Sequence, residues 1–241
     1  MNESDLSAEE CFRKIFLNLN IQNDYCLKII LSKLLSITII VISIIVILPQ
    51  IFKIWKKQSA RGINVLTILS NLYIITVKGC YCFVRSFPLS SYGELIIIGI
   101  QCTFLTALVL RYNVSFTASN IFIVLYPIVV YILASGITPK NILWYLQAIG
   151  FPIFFTGRML QAHTIYKNKS TGDLSGFPFF IQFFITGSRI FTTIQETKDP
   201  ILIFTQSMNT FSTGLICILF LYYNSKSGIQ KKQTNDKLKT N

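Results

Sequence analysis

Charge is what this sequence has least of. Of its 241 residues only 13% are Asp, Glu, Lys or Arg, against roughly 25% in an ordinary globular domain. Hydrophobic residues make up 52%, and they lie in long blocks, such as the uncharged run between Lys33 and Lys53. An apolar run of about 18 residues or more reads as a membrane span, which excludes a soluble enzyme and a disordered tail protein. Acidic residues are scarcer still, ten against 22 basic ones, giving a net charge of +12. In a membrane chain such an excess sets topology rather than recruiting a polyanion, so no nucleic-acid partner is expected. There is a single histidine, His163, which excludes multi-histidine metal chemistry and argues against a Ser-His-Asp hydrolase. The six cysteines form no zinc pattern, because Cys80 and Cys82, two apart, do not share a helix face. Cys102 and Cys217 read as buried apolar residues. No catalytic residue, metal or cofactor is expected, and the chain is read as something other than an enzyme.

Taken by its charges, the chain divides into seven spans: 34–52, 63–84, 94–111, one within 112–139, 141–166, 174–194 and 200–223. An odd number places the termini on opposite faces, and the basic residues choose between them. One face collects Lys53, Lys56, Lys57, Arg61, Arg111, Lys167, Lys169 and the five lysines after residue 225. The other collects Arg13, Lys14, Lys28, Lys33, Arg85, Lys140 and Lys198, twelve against seven. The richer face is the cytosolic one by the positive-inside rule, so the amino terminus is expected to be lumenal or extracellular. The opening residues carry Glu3, Asp5, Glu9 and Glu10 and read as no secretory signal. Segment 11–33 is expected to lie as a helix on the membrane surface. Cys11 and Cys26, both in that lumenal segment, are expected to form a disulfide, closing a loop of ~15 residues worth about 3 kcal/mol.

A shift of 111 residues overlays two stretches, Pro49–Asn64 on Leu160–Ser175, with Gln50/Gln161, Ile54/Ile165, Trp55/Tyr166, Lys56/Lys167 and Ser59/Ser170 in common. Four spans lie between the copies, so both have the same orientation, as in parallel-repeat transporters. The predicted fold is all-α: a lumenal amino-terminal segment (1–33), a first three-helix repeat (34–112), a linking helix (113–139), a second three-helix repeat (140–224) and a cytosolic basic tail (225–241). Pro49 bends its helix and frees a carbonyl. In a bilayer that carbonyl needs a partner, and Gln50 is expected to supply an amide donor.

Leu48-Pro49-Gln50, followed by the basic loop ending at Gly62 and by the second copy at Gln161, resembles the PQ-loop family. Within it the resemblance is closest to members that serve the use of dolichol-phosphate sugars. The stretches that carry it are Cys26–Lys33, Leu48–Ile54, Gly157–Ala162, Ser170–Ser175 and Ser188–Pro200. Arg-Ile-Phe-Thr-x-Ile-Gln-Glu-Thr followed by Asp199-Pro200 is the specific part, and similarity runs from about Cys11 to Asn224. Such a resemblance implies a multi-pass endoplasmic-reticulum protein required for lumenal use of dolichol-phosphate mannose and glucose in N-glycan, GPI-anchor and protein mannosylation pathways. Members of this kind are not glycosyltransferases themselves; lumenal glycosyltransferases are the implied partners. The alternative is a PQ-loop-type transporter of a small solute. One departure is Asn71, where the family pattern has a carboxylate; Leu160-Gln161 in place of Pro-Gln resembles this subfamily rather than the wider family.

Three basic residues fall inside spans. Lys78 is read as snorkelling toward the lumenal interface. Arg158 and Arg189, at different depths, are candidate ligands for a lipid phosphate, which a guanidinium fork fits; a structural pair of an arginine with Glu94 or Glu196 is the competing reading. No Asp or Glu lies well inside an apolar run, Glu94 being at an edge, and this weighs against proton-coupled export. His163 is read as structural. The carboxyl-terminal residues are polar and lysine-rich, as expected of a disordered tail. Lys237 and Lys239 match a dilysine retrieval signal read by cytosolic coat proteins.

The topology yields a direct test. Sequons stand at Asn2, Asn113 and Asn168, and the proposed orientation leaves Asn113 and Asn168 in the cytosol. Neither should carry a glycan in native membranes. A glycosidase-sensitive mobility shift that disappears with Asn113→Gln or Asn168→Gln would reverse the orientation.

Overall fold

The computed structural model describes residues 24–60, 63–168 and 177–239. Among them all regular structure is helical, and the protein is an all-α membrane protein. Helix α1 spans Asp24–Ser43 and α2 Leu48–Lys57; together they make the first crossing. Helices α3 (Val65–Val84), α4 (Gly93–Asn113), α5 (Phe116–Ala134), α6 (Lys140–Asn168), α7 (Phe177–Glu196) and α8 (from Pro200) follow, with one 3-10 turn at Leu89–Ser91 before α4. Cys26–Lys57, Val65–Val84, Gly93–Asn113, Phe116–Ala134 and Pro200–Tyr223 are long and apolar enough to cross a bilayer. Helices α6 and α7, of 29 and 20 residues, have the length and complete the bundle by packing among the five, though Arg158 and Arg189 dilute their apolar character.

Two boundaries differ from expectation. The first crossing begins at Asp24, ten residues before the predicted start, because Lys28 and Lys33 sit within the helix instead of ending it; Lys33 finds a counter-ion in Glu196 at 3.4 Å. Residues 24–33 are therefore the first turns of a spanning helix and not part of a surface segment. Cys26 is fully buried and disulfide-bonded, while Cys11 lies outside the described residues. At the other end α8 runs to Lys239, where a disordered tail was expected. Extending an existing helix needs no new nucleus, and the lysines and glutamines after residue 224 are good helix formers. Lys237 and Lys239 belong to this helix.

The helix contacts form a closed ring, in the order α1, α4, α3, α6, α8, α7 and back to α1, with α2 extending α1 along α4. Linking helix α5 stands outside it against α4 and α3. Each half thus has its third helix in the middle (α1–α4–α3 and α6–α8–α7), as two copies of one unit should. Shifted by 111, residues 65–84 fall on 176–195, against an observed α7 of Phe177–Glu196. Along α5 only Ser119 is buried, so its outer surface, rich in Ile, Val and Tyr, faces lipid.

The apolar cores are distributed unevenly. Near the face that carries the α3–α4 turn, one cluster joins both halves: Cys80, Tyr81, Cys82 and Tyr92 with Leu143 and Leu202. Near the opposite face, where the basic loops lie, each half keeps its own: Ile54, Ala60, Ile68, Leu105 and Val109 in one, and Ala162, Ile165, Ile216 and Tyr223 in the other. The halves are joined at one end and parted at the other.

The first crossing is broken at Ile44–Ile47. Pro49 stands at the start of α2, where its missing N–H costs nothing, but its ring excludes helix at residue 45. The freed backbone groups are satisfied by Gln101 of α4. Its Nε2 donates to the carbonyls of Ser43 and Ile44, each at 3.0 Å, and its Oε1 accepts from Ile47 N at 3.2 Å. The expected donor, Gln50, is instead an exposed residue of α2; the partner comes from across the bundle because Gln50 lies beyond the break and points outward. In the second copy Pro152 sits inside α6 without breaking it.

Gln101→Leu orphans three backbone groups in an apolar setting, at about 1–3 kcal/mol for a buried unsatisfied group. A fall in the unfolding midpoint of the detergent-solubilised protein should report it. A loss below about 0.6 kcal/mol, the average worth of a side-chain bond in a membrane protein, would mean that the break is satisfied by other groups.

Candidate functional site

Two seams separate the halves, α1 against α7 and α3 against α6, and their polar residues behave differently. The α1–α7 seam is neutralised. Glu196, at the end of α7, accepts from Ser32 and Ser36 of α1 at 3.3 and 3.4 Å. It also accepts from Ser90 and Ser91 of the 3-10 turn at 2.8 and 2.6 Å. Lys33 donates to Ser90 Oγ at 2.6 Å, closing the cluster. One turn deeper or more, Arg189 pairs through Nη2 with Glu94 and donates through Nη1 to the Ser90 carbonyl at 3.3 Å. Both side chains of this pair are almost wholly buried. Arg189 is thus spent on Glu94 and is not available to a lipid phosphate; of the two readings of this residue, the structural pair is the one observed. Glu94, placed at a span edge by its sequence position, is buried there at the first turn of α4.

The α3–α6 seam is pinned at mid-span by Tyr73 Oη, which donates to the Leu146 carbonyl at 3.0 Å, and it closes at the same end as the first seam. Asp199 accepts from Tyr81 Oη at 2.7 Å and Arg85 Nη2 at 3.4 Å. Its other oxygen caps α8, accepting from Ile201 N at 3.1 Å and Leu202 N at 3.3 Å, with Pro200 following as first helical residue. Toward the basic-loop face the seam opens into a cleft of about 640 Å³ between the start of α3 and the end of α6. Thr67, Ser70 and Asn71 line one wall; Thr156, Gly157 and Arg158 line the other. Arg158 is half-buried, its guanidinium carbon 5.2 Å from the centroid of the Phe154 ring, and among the described residues it has no carboxylate partner. An uncompensated Arg in a span costs roughly 2.5–3.5 kcal/mol on insertion scales, so the position favours an anion from outside the chain. No Asp or Glu is among the residues that line the cleft.

Between cleft and closed end lies a smaller cavity of about 90 Å³, lined by Lys78, Gln147, Gln206 and Asn209. Lys78 faces this inner space, which corrects the reading of it as a snorkelling residue: its position on α3 turns it between α6 and α8. No periodicity of α3 signals this, since the cavity is made by the other half.

The loop after α2 has its own fastening. Gln58 takes a left-handed conformation (φ 50°) and ends α2. Asn64 caps α3 by accepting from Leu66 N at 2.8 Å. Asn113 Nδ2 donates to the carbonyls of Ala60 and Ile63 at 3.2 and 3.0 Å. Pro49 and Gln50 belong to the short arm that delivers this loop. Gln161 lies in α6, one turn from Arg158. His163 is exposed near the basic-loop end, away from the cavity. Cys80, Cys82, Cys102 and Cys217 are free and buried, and among the described residues no group of His, Cys, Asp or Glu could hold a metal.

Residues 31–91 match the PQ loop repeat. The match covers α1 from its eighth residue through α2, α3 and the 3-10 turn. No solved structure matches the chain.

The ion pair is open to a direct measurement. Removing one partner of a buried pair leaves a lone charge and costs about 3–5 kcal/mol, whereas apolar replacement of both is often neutral. Glu94→Gln should therefore lower thermal stability strongly, and Glu94→Leu with Arg189→Met should recover most of it. A double variant no better than the single one would show that Arg189 has a second role.

Proposed function

We propose that this chain is a multi-pass protein of the endoplasmic-reticulum membrane required for utilisation of dolichol-phosphate mannose and dolichol-phosphate glucose. It acts by holding the phosphate of the donor lipid in the α3–α6 cleft. The observation that carries the reading is Arg158: a cation without a carboxylate partner among the described residues, in a largely apolar cleft that also presents Thr67, Ser70, Asn71 and Thr156. Its planar fork suits a phosphate better than a neutral solute. The resemblance of Ser188–Pro200 and the two loops to the mannose-P-dolichol utilization defect 1 protein supplies the choice of lipid. On this reading the amino terminus is lumenal and the carboxyl terminus cytosolic, Lys237 and Lys239 serve retrieval by coat proteins, and lumenal glycosyltransferases consume the presented donor. The chain itself transfers no sugar. A small-solute transporter is the second reading, favoured by the inner cavity with its amide side chains; solute uptake into proteoliposomes is its assay.

Lipid-linked oligosaccharide profiles of null cells test the first reading. Null cells should accumulate truncated precursors and lose GPI-anchored surface proteins; the wild-type chain should restore both. Arg158→Gln should fail to rescue. Arg158→Lys should rescue poorly, because an ammonium lacks the bidentate fork. A full-length precursor pool with normal GPI anchors in null cells would overturn the proposal.

A further inference from the structure

The repeat relates the two seams, yet their charges do not match. Under the 111-residue shift Lys78 corresponds to Arg189, Arg85 to Glu196, and Ser36 to Gln147. In the α1–α7 seam every described cation that faces it is paired: Lys33 with Glu196 and Arg189 with Glu94. In the α3–α6 seam only Arg85 is paired, with Asp199; Lys78 and Arg158 form no ion pair and no side-chain hydrogen bond among the described residues. One seam is neutral and closed, the other basic and hollow.

The hollows of the basic seam adjoin one another. The Arg158 cleft and the Lys78 cavity share Ile74 and Phe154. The Lys78 cavity in turn shares Phe151 and Thr205 with a space of about 690 Å³ that Arg85 lines. Three cations therefore stand at three depths along one seam, each in its own space, with Ile74 and Phe154 shared by the first two spaces and Phe151 and Thr205 by the last two. The cavity around Lys78 is polar beyond what packing requires. Gln147 and Gln206 are buried against it, and the Oδ1 of Asn209 is buried with no hydrogen-bond partner. An unpaired buried polar atom is an exception in folded proteins; among the described residues the other is Nε of Arg189, in the opposite seam. The volume, about 90 Å³, exceeds the ~10–15 Å³ that a single water needs.

We propose that the Lys78 cavity is a second station for the phosphate of a lipid-linked sugar, so that the headgroup passes inward along the α3–α6 seam from Arg158 while its isoprenoid tail stays in the bilayer. This deepens the reading of Arg158 as the lipid-phosphate site and rests on it. The residue types suit the roles. Arg158, with a fork, holds the phosphate at the mouth. Lys78, a compact charge with three rotatable donors, grips without fixing one geometry and so releases. Asn209 Oδ1, which faces the same cavity, accepts from a sugar hydroxyl. No bond is made or broken.

The full chain in phosphatidylcholine proteoliposomes, given a fluorescent ten-carbon prenyl phosphoryl mannose as probe, separates the steps. Binding is read on detergent-purified protein, and transbilayer movement by quenching of the outer leaflet. The wild type should bind and move the probe, and mannose 1-phosphate and inorganic phosphate should neither be taken up nor depend on Lys78. Arg158→Gln should weaken binding itself. Lys78→Gln should slow movement about tenfold beyond any change in binding, the worth of a hydrogen bond to a charged group, and Lys78→Arg should retain it. Asn209→Leu should slow movement as well, and it carries the test if Lys78→Gln fails to fold. Wild-type movement in Lys78→Gln or in Asn209→Leu, with Arg158-dependent binding intact, would overturn the second station and leave the first. A wild type that binds no probe would overturn both. Lys78-dependent uptake of mannose 1-phosphate without movement of the prenyl probe would replace the lipid by a soluble anion.

Discussion

The buried pair of Arg189 and Glu94 governs how the halves meet. In a medium of low dielectric neither charge is tolerable alone, so α7 of the second half must lie where α4 of the first begins. Once it does, Glu196 reaches the hydroxyls of α1 and of the 3-10 turn, and the cluster that contains Tyr81, Leu143 and Leu202 closes at the same end of the bundle. Among the described residues nothing comparable joins the halves near the basic loops, where each packs its own core. A bundle fastened at one end and separate at the other has its freedom of movement assigned by chemistry. The cleft with Arg158 lies at the free end, so its width can change without breaking a charge pair.

A second constraint acts on the backbone. Where a helix breaks in hydrocarbon, its peptide groups must be paired from within the protein. Gln101 does this for both sides of the α1–α2 break with one amide group, which joins the short arm α2 to the middle helix of its own half. The second half has no such break, because α6 absorbs Pro152 and continues. The cleft therefore has one wall from a half with a jointed helix and one wall from a half with a continuous helix.

Hydropathy and charge made the helices legible. The predicted 63–84, 94–111, 141–166 and 174–194 agree with α3, α4, α6 and α7 to within three residues at each end. These runs are bounded by charges or turn residues that lie in or next to the terminal turns of the helices, Glu94 and Arg111 in α4 and Lys140 and Lys167 in α6. The first crossing was misplaced because Lys28 and Lys33 look like boundaries until Glu196, far along the chain, is known to neutralise one of them. Partners across the bundle leave no local pattern, and the same blindness hid Gln101 behind its nearer candidate Gln50. For Arg189 the sequence left two readings, since both Glu94 and a phosphate suit a guanidinium. Lys78 was read from its depth alone; depth does not tell whether a side chain turns to lipid or to a cavity lined by another half. The parallel repeat, seen first as a few shared residues in two loops, is supported by the ring, in which each half places its third helix between the other two.

The three ion pairs among the described residues have one property in common: each joins a residue of one half to a residue of the other. Glu196 and Asp199, from the second half, answer Lys33 and Arg85 of the first, and Glu94 of the first answers Arg189 of the second. Each repeat thus stores the counter-ions of its companion. Two first halves brought together about a two-fold axis would set Lys33 and Arg85 in both seams with no Glu196 or Asp199 to receive them. Two second halves would hold Arg189 without Glu94. Like-with-like pairing leaves Arg189 as a lone buried charge in one case and partly exposed cations unanswered in the other, and only the mixed pair is neutral where it closes. The two repeats are therefore not interchangeable parts of a symmetric assembly. They behave as the two subunits of a heterodimer carried on one chain, with α5 as the tether that keeps the matched partner always within reach.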